Sequence, residues 1–192
     1  GLLDPERNRA LIRFAREAGK PVVVDPERTE NYAPYRGATC VLPNRFETER
    51  ATGLKLETED DYRNAAERLL DKLALDAAVV KLDREGMYLA TAEGQRRHMR
   101  IQAKQVADVT GAGDMVASAM AYALALGAEY PVAVTFANFA AGLEVGQIGV
   151  TPIGRQTMLD ALAAGSDPAL RKIKDRESLA ALREELGHQG TT

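Results

Sequence analysis

The stretch Val106–Met120 reads VADVTGAGDMVASAM and holds the residues best suited to chemistry. A polar, glycine-broken turn, Asp108-Val109-Thr110-Gly111-Ala112-Gly113-Asp114, runs directly into an apolar, alanine-rich segment. Glycines let the backbone approach a ligand closely and take positive φ. The free N–H groups of a helix's first turn, with the macrodipole behind them, favour an anion. The turn therefore reads as an anion cradle. A carboxylate beside a bound anion is costly, so Asp114 makes sense there as a base that stays ionised until it takes a proton. That pairing suits phosphoryl transfer to a hydroxyl: the carboxylate deprotonates the acceptor while backbone amides stabilise the transferred group. No Gly-Lys-Ser/Thr follows, which excludes the ATPase phosphate loop, and the three-glycine spacing of a dinucleotide fingerprint is absent. Taken alone, Gly111–Asp114 is equally consistent with a plain turn in which Asp114 only complements the helix dipole. Asp108 and Thr110 upstream, the uncharged helix downstream and a second alanine-rich helix after it weigh toward chemistry.

These residues need a scaffold, and the remaining sequence spells one out. Asp4-Pro5-Glu6 starts a helix, with Leu11, Ile12, Ala15 and Ala18 as its apolar face and Gly19 at its end. Val22–Val24 is a short continuous apolar run, read as a buried parallel strand that Asp25-Pro26 terminates. Residues 27–37 form a loop, Thr39–Leu42 a second strand closed by Pro43, and Asn44–Thr52 a short helix before Gly53. Thr58 caps an amphipathic helix to Leu75, with Tyr62, Ala66, Leu69 and Leu73 at helical spacing. Ala77–Leu82 is a third buried strand. Gly86–Thr91 and Arg97–Ile101, separated by Glu93-Gly94, read as antiparallel or edge strands. The motif helix runs to Gly127, a second helix from about Pro131 to Val145, and another over Ile153–Ala164. Strands alternating with helices predict an α/β fold with a mainly parallel sheet.

Composition bounds the function. The chain has 192 residues and 45% hydrophobic content, enough for one domain with an appendage. Its net charge of −3 gives no electrostatic case for nucleic acid or an anionic membrane. The apolar run Met115–Ala128 is too short for a bilayer span of ~20 residues, and no signal peptide is visible. Cys40, the single cysteine, excludes a disulfide framework and suits a cytoplasmic location. It reads as an inert core residue. His98 and His188 read as surface residues, too far apart in sequence for a metal pair.

Asp-Val-Thr-Gly-Ala-Gly-Asp before a small-residue helix resembles the signature of the PfkB (ribokinase-like) carbohydrate kinases. Four further segments resemble that family in order: Lys20–Pro26, Leu42–Glu47, Phe136–Gly142 and Val145–Val150. Within the family, Tyr35–Thr39, Glu85-Gly86-Met87 and Val145-Gly146-x-x-Gly149 are most similar to the heptose 7-phosphate kinases of ADP-heptose synthesis. Lys172–Lys174 with Leu179–Gly187 resembles the linker that precedes a nucleotidyltransferase half in bifunctional members.

The resemblance implies a three-layer α/β sandwich with a mainly parallel sheet. Residues 1–165 would be the C-terminal, nucleotide-binding and catalytic portion of the kinase domain, without the N-terminal part and lid, and 166–192 a linker with a short helix. It also implies roles. Asp114 would be the base, and Gly111, Ala112 and Gly113 the anion hole. Asn44 and Glu47 would act on Mg²⁺ through water. Lys81, Asp83, Gly86 and Asn138 would meet ATP. Asp108 and Thr110, with the Val145–Gly149 loop, would match a monovalent-cation (K⁺) site. Simpler roles stay open beside these: Asn44 as a helix cap, Glu47 as a solvated helix residue, Asn138 as a core hydrogen-bonding group.

Lys81-Leu82-Asp83 departs from the family, which usually has a hydroxyl residue and then a small one two positions on. Lys81 could replace the hydroxyl as a phosphate contact, whereas Asp83 brings a negative charge toward the nucleotide and counts against ATP affinity. The expected partners are a sugar phosphate and ATP, together with a second copy of the chain if an exposed sheet edge drives self-association. The leading function is ATP-dependent phosphorylation of a sugar hydroxyl. The alternatives are a non-catalytic remnant that only binds nucleotide or another chain, and a PfkB kinase for another sugar or a nucleoside. Because sugar specificity in the family lies largely in the absent N-terminal part, the 192 residues alone are expected to bind nucleotide weakly and turn over poorly or not at all.

Overall fold

The computed structural model describes residues 4–26, 29–100 and 112–145. Asp4 caps helix α1 (Pro5–Glu17), its Oδ1 accepting from the amides of Glu6 and Arg7 at 3.0 and 2.9 Å. The expected apolar face of α1 is narrower than its sequence pattern: Ile12 is buried, but Leu11 is 54% exposed. The reason is placement, since α1 packs mainly on a 3₁₀ turn, Ala33–Tyr35, rather than flat on the sheet. Arg16 holds it there through the Gly37 carbonyl at 2.8 Å and Asp76 at 2.9 Å.

Five strands follow in order: β1 (Val23–Val24), β2 (Cys40–Val41), β3 (Ala77–Lys81), β4 (Met87–Thr91) and β5 (Arg96–Met99). They lie side by side in that order, β1 to β3 parallel and β3 to β5 antiparallel. β1 is half-buried, less enclosed than its unbroken valine run suggests. Helix α2 (Arg45–Thr52) follows β2, and α3 (Glu59–Leu73) leads into β3. Both begin with reciprocal capping boxes, Asn44 with Glu47 and Thr58 with Asp61. Gly53 stops α2 at φ +72°, a left-handed position that glycine takes without strain.

The alternation of a strand's side chains sorts the core into two layers. Val41, Ala78, Val80, Tyr88 and Ala90 point to one face, where Leu69, Leu73 and Tyr62 of α3 cover them. Cys40, Leu42, Ala77, Val79 and Leu89 point to the other, against Val116 and Met120 of α4 (Ala112–Ala125) and Val134 and Ala137 of α5 (Tyr130–Val145). Helices on both faces of the sheet make the expected three-layer α/β sandwich. Cys40 is fully buried, and that burial pushes its thiol pKa up, so it is an inert core residue as its apolar strand implies. No described helix is long and apolar enough to cross a membrane. The Ile153–Ala164 helix, the Val145–Gly149 loop, His188 and the proposed linker lie outside the described residues.

Candidate functional site

Parallel strands all deliver their carboxyl ends to one edge of the sheet, where open α/β folds bind ligands. Here that edge gathers three of the chemistry-bearing segments. β1 ends at Asp25. β2 continues through Pro43 to Asn44, which pairs with Lys81 in an isolated parallel bridge. The Lys81 amide donates to the Pro43 carbonyl at 2.8 Å, fixing Asn44 beside the end of β3. Lys81 then reaches across to Asp25, Nζ to Oδ1 at 2.7 Å, with the two side chains only 18% and 30% exposed.

The N-terminus of α4 arrives at the same place. A Cβ built on Gly113 would lie 3.1 Å from Asp25 Oδ2 and 3.8 Å from Lys81 Nζ. A side chain at 113 would therefore crowd the ion pair, and glycine is what lets the helix's first turn approach it. Asp114 is the next residue, exposed in that first turn. The fold thus brings Lys81, Asn44, Gly113 and Asp114 to one sheet edge with Asp25, which the sequence marked only as a strand terminator. The arrangement combines a cation, an anion and the positive end of a helix around a solvent-open carboxylate. It can hold an anion and accept a proton beside it.

Asn44 and Glu47 are locked together. Asn44 Oδ1 accepts from the Glu47 amide at 2.8 Å, and Glu47 Oε2 accepts from the Asn44 amide at 2.9 Å. Asn44 is thus a helix cap whatever else it does. Glu47 is not a solvated helix residue, since it is buried. Next to it lies an orphan: the Tyr32 hydroxyl is fully buried and has no hydrogen-bond partner among the described residues. Burial first, and then the charges of Glu47, Tyr35 and Asp25, raise the Tyr32 pKa, so it stays a neutral donor. No three His, Cys, Asp or Glu side chains among the described residues form a cluster able to grip a metal directly. A buried carboxylate, a nearby carboxylate and an unpartnered hydroxyl fit Mg²⁺ held through its own waters, the mode this ion prefers.

Beyond Lys81 the chain makes a 3₁₀ turn, Asp83–Glu85, closed by Leu82 N–H donating to the Gly86 carbonyl at 2.8 Å. Gly86 sits at φ +93°, a conformation that suits glycine, and Asp83 at φ +53°. Asp83 meets Arg45 at 3.5 Å, so its charge is not unopposed as the sequence suggested. A cavity of about 540 Å³ between this turn and α2 is lined by Asn44, Arg45, Phe46, Glu49 and Asp83.

Glu85 accepts from the Tyr62 hydroxyl and meets Arg45 at 3.2 Å. Tyr62 first, and Arg45 after it, hold the Glu85 carboxyl below its ordinary value of 4.5. A depressed folded-state pKa contributes stability that is complete above 4.5 and is lost as pH falls through the lowered value. Glu85→Gln is therefore expected to flatten the loss of stability below pH 4.5, read as denaturation midpoint against pH.

His98 is not the surface residue its sequence context suggested. Its side chain is 7% exposed, with Nδ1 3.2 Å from Glu59 and Nε2 2.9 Å from the Glu85 carbonyl. Asn138 is half-buried on α5, so it needs no buried partner. No hydrogen bond or ion pair among the described residues joins it to the strand-end group. Gly111, Asp108 and Thr110 lie outside the described residues.

The sequence pattern described as "pfkB family carbohydrate kinase" matches residues 3–157. The bifunctional protein HldE of Geotalea uraniireducens (strain Rf4) is 39% identical over 182 residues, covering 95% of this chain and 37% of that protein. The bifunctional protein HldE of Paramagnetospirillum magneticum (strain ATCC 700264 / AMB-1) is 45% identical over 139 residues, 72% of this chain and 28% of that protein. The chain thus spans less than half the length of these relatives. Among solved structures, Arabidopsis thaliana ribokinase complexed with ribose and ATP superposes with a TM-score of 0.71 at 28% identity, covering 82% of this chain and 52% of that one.

Proposed function

The chain belongs to the pfkB family of carbohydrate kinases, and on that premise we propose that it carries the nucleotide-side and catalytic portion of an ATP-dependent kinase for heptose 7-phosphate. One observation supports this reading above the others. Asp25, Lys81 and the glycine-opened start of α4 converge at the carboxyl ends of the parallel strands. The related ribokinase whose structure is solved with ribose and ATP supports a sugar and ATP as the two substrates. The HldE relatives and the Tyr35–Thr39 and Glu85–Met87 segments support heptose 7-phosphate as the acceptor.

In this reading the sugar hydroxyl attacks the γ-phosphorus of ATP. A new oxygen–phosphorus bond forms, the bond from the γ-phosphorus to the bridging oxygen breaks, and ADP leaves. Asp114 takes the hydroxyl proton. The amides of Gly111, Ala112 and Gly113 receive the charge of the transferred group. Lys81 contacts the phosphates, with Asp25 holding its ammonium at the strand ends. Asn44 and Glu47 would hold Mg²⁺ through water, and that ion would neutralise phosphate charge. Asp83, Gly86 and Asn138 would lie along the nucleotide, and Asp108 and Thr110 at a K⁺ site.

Residues 1–165 form the kinase portion and 166–192 a linker in this proposal. A cytoplasmic location, where ATP is available, belongs to the same reading, as does self-association through the β1 edge of the sheet. The test is sugar-dependent ADP release by the full-length protein with heptose 7-phosphate, fructose 6-phosphate and ribose offered in turn. Heptose 7-phosphate is expected to give the highest kcat/KM. Preference for another sugar would overturn the acceptor assignment, and no transfer to any would overturn the kinase assignment.

A further inference from the structure

Arg45 is the first residue of α2, directly after Asn44, and its guanidinium makes contacts in four directions. Nε lies 3.5 Å from Asp83 Oδ2 and Nη2 lies 3.2 Å from Glu85 Oε2. Nη1 donates to the Leu56 carbonyl, and the guanidinium carbon sits 5.3 Å from the centre of the Tyr62 ring. Only a planar, forked cation satisfies such a set; a lysine ammonium is a point charge. Asp83 and Glu85 lie in the turn after Lys81, which flanks the cavity of about 540 Å³ opposite the α2 start that carries Arg45, while Leu56 precedes α3 and Tyr62 lies on it.

Asp83 sits at φ +53°, where non-glycine residues are uncommon, and its contact with Arg45 helps to hold it there. Glu49 and Asp83 also line the cavity, and Glu85 stands behind them on Arg45. Among the described residues that line the cavity, Arg45 is the only cation. Glu49 has its own cation, Lys55 at 3.4 Å, so without Arg45 the Asp83 and Glu85 carboxylates would stand unopposed beside a space that, in the function proposed above, receives a polyphosphate.

We propose that Arg45 is a positioning residue for nucleotide binding: it ties the Asp83–Glu85 turn to the start of α2 and cancels the carboxylates that would otherwise repel the phosphates. This rests on the nucleotide reading of the site. It also explains how the chain tolerates Asp83 at that strand end. The cancelling charge comes from α2, at a position whose neighbours Asn44 and Glu47 already belong to the proposed metal side.

The test is titration of the full-length protein with the fluorescent nucleotide mant-ATP and Mg²⁺, at two salt concentrations. Arg45→Ala is expected to weaken binding by roughly tenfold or more at low salt and less at high salt, because the lost effect is charge repulsion. Arg45→Lys is expected to fall well short of the unaltered protein, since one ammonium does not span Asp83, Glu85 and the Leu56 carbonyl. Arg45→Ala combined with Asp83→Asn is expected to recover most of the lost affinity. A purely structural role would not be rescued by removing a second partner of the same turn. If Arg45→Ala does not fold, Arg45→Lys carries the test. Binding by the unaltered protein with equal binding by these variants would overturn the role of Arg45 alone, as would a double variant no better than Arg45→Ala. No binding by the unaltered protein would overturn the nucleotide reading and this role with it.

Discussion

Asp114→Asn is expected to lower phosphoryl transfer by roughly two to four orders of magnitude, the usual contribution of a positioned general base. Asparagine keeps the shape of the side chain and its place in the first turn of α4, but it takes no proton. Asp114 is exposed, so no core packing is lost. Its favourable interaction with the helix N-terminus accounts for only about 0.3–1 kcal/mol of stability. The variant should therefore fold, melt within a few degrees of the unaltered protein and bind ATP with similar affinity. The loss should appear in kcat. A parallel loss of nucleotide affinity would instead make Asp114 part of the anion cradle.

Lys81→Ala is expected to have the second largest effect, for two reasons that add. It removes the cation placed beside the start of α4, and it leaves Asp25 unpaired 3.1 Å from where a Cβ of Gly113 would stand. An uncompensated carboxylate then faces the position where phosphate charge develops. Removing one such electrostatic group costs roughly 10²–10³ in rate, and the stranded, partly buried Asp25 should cost about 1–3 kcal/mol of stability. The two effects separate experimentally. Adding Asp25→Asn to Lys81→Ala should restore the denaturation midpoint but only part of the transfer rate. If the double variant recovered both in full, Lys81 would only be neutralising Asp25.

The sequence carried the local part of this architecture well. Helix starts were legible at Asp4, Asn44 and Thr58 because capping depends on residues within three positions of one another. The strands at Val22–Val24, Thr39–Leu42 and Ala77–Leu82 are legible because each centres on a short apolar run, as strands covered on both faces require, with Thr39 and Lys81 only at the ends. Contacts that depend on sheet order were not legible. Asp25 and Lys81 are 56 positions apart and meet only because β1, β2 and β3 lie side by side in register. Arg45 and Glu85 are 40 apart and meet across the same sheet edge.

The burial of His98 is not legible in the sequence for a related reason. Its period in β5 marks it only as one of an alternating pair, and the side of the sheet that α3 covers decides its burial. Leu11 fails in the opposite direction. Its spacing with Ile12 and Ala15 makes a sound helical face, yet the described neighbours of α1 cover only part of it. For the candidate site, Asp114 stands out by its place between a glycine-broken turn and an apolar helix, whereas Asn44, Glu47 and Lys81 stand out through the family resemblance. Sequence gave no signal for the Asp25 partner of Lys81 beyond its place at a strand end.

The most direct test of the central claim, that the strand ends and the start of α4 form a phosphoryl-transfer centre, is a single-turnover measurement. Phosphate passing from γ-labelled ATP to heptose 7-phosphate is followed in the full-length protein and in its Asp114→Asn variant, with ATP binding measured in both. The expected result is transfer by the unaltered protein, and ATP binding without transfer by the variant. A folded, ATP-binding Asp114→Asn protein that transfers phosphate at the unaltered rate would contradict it.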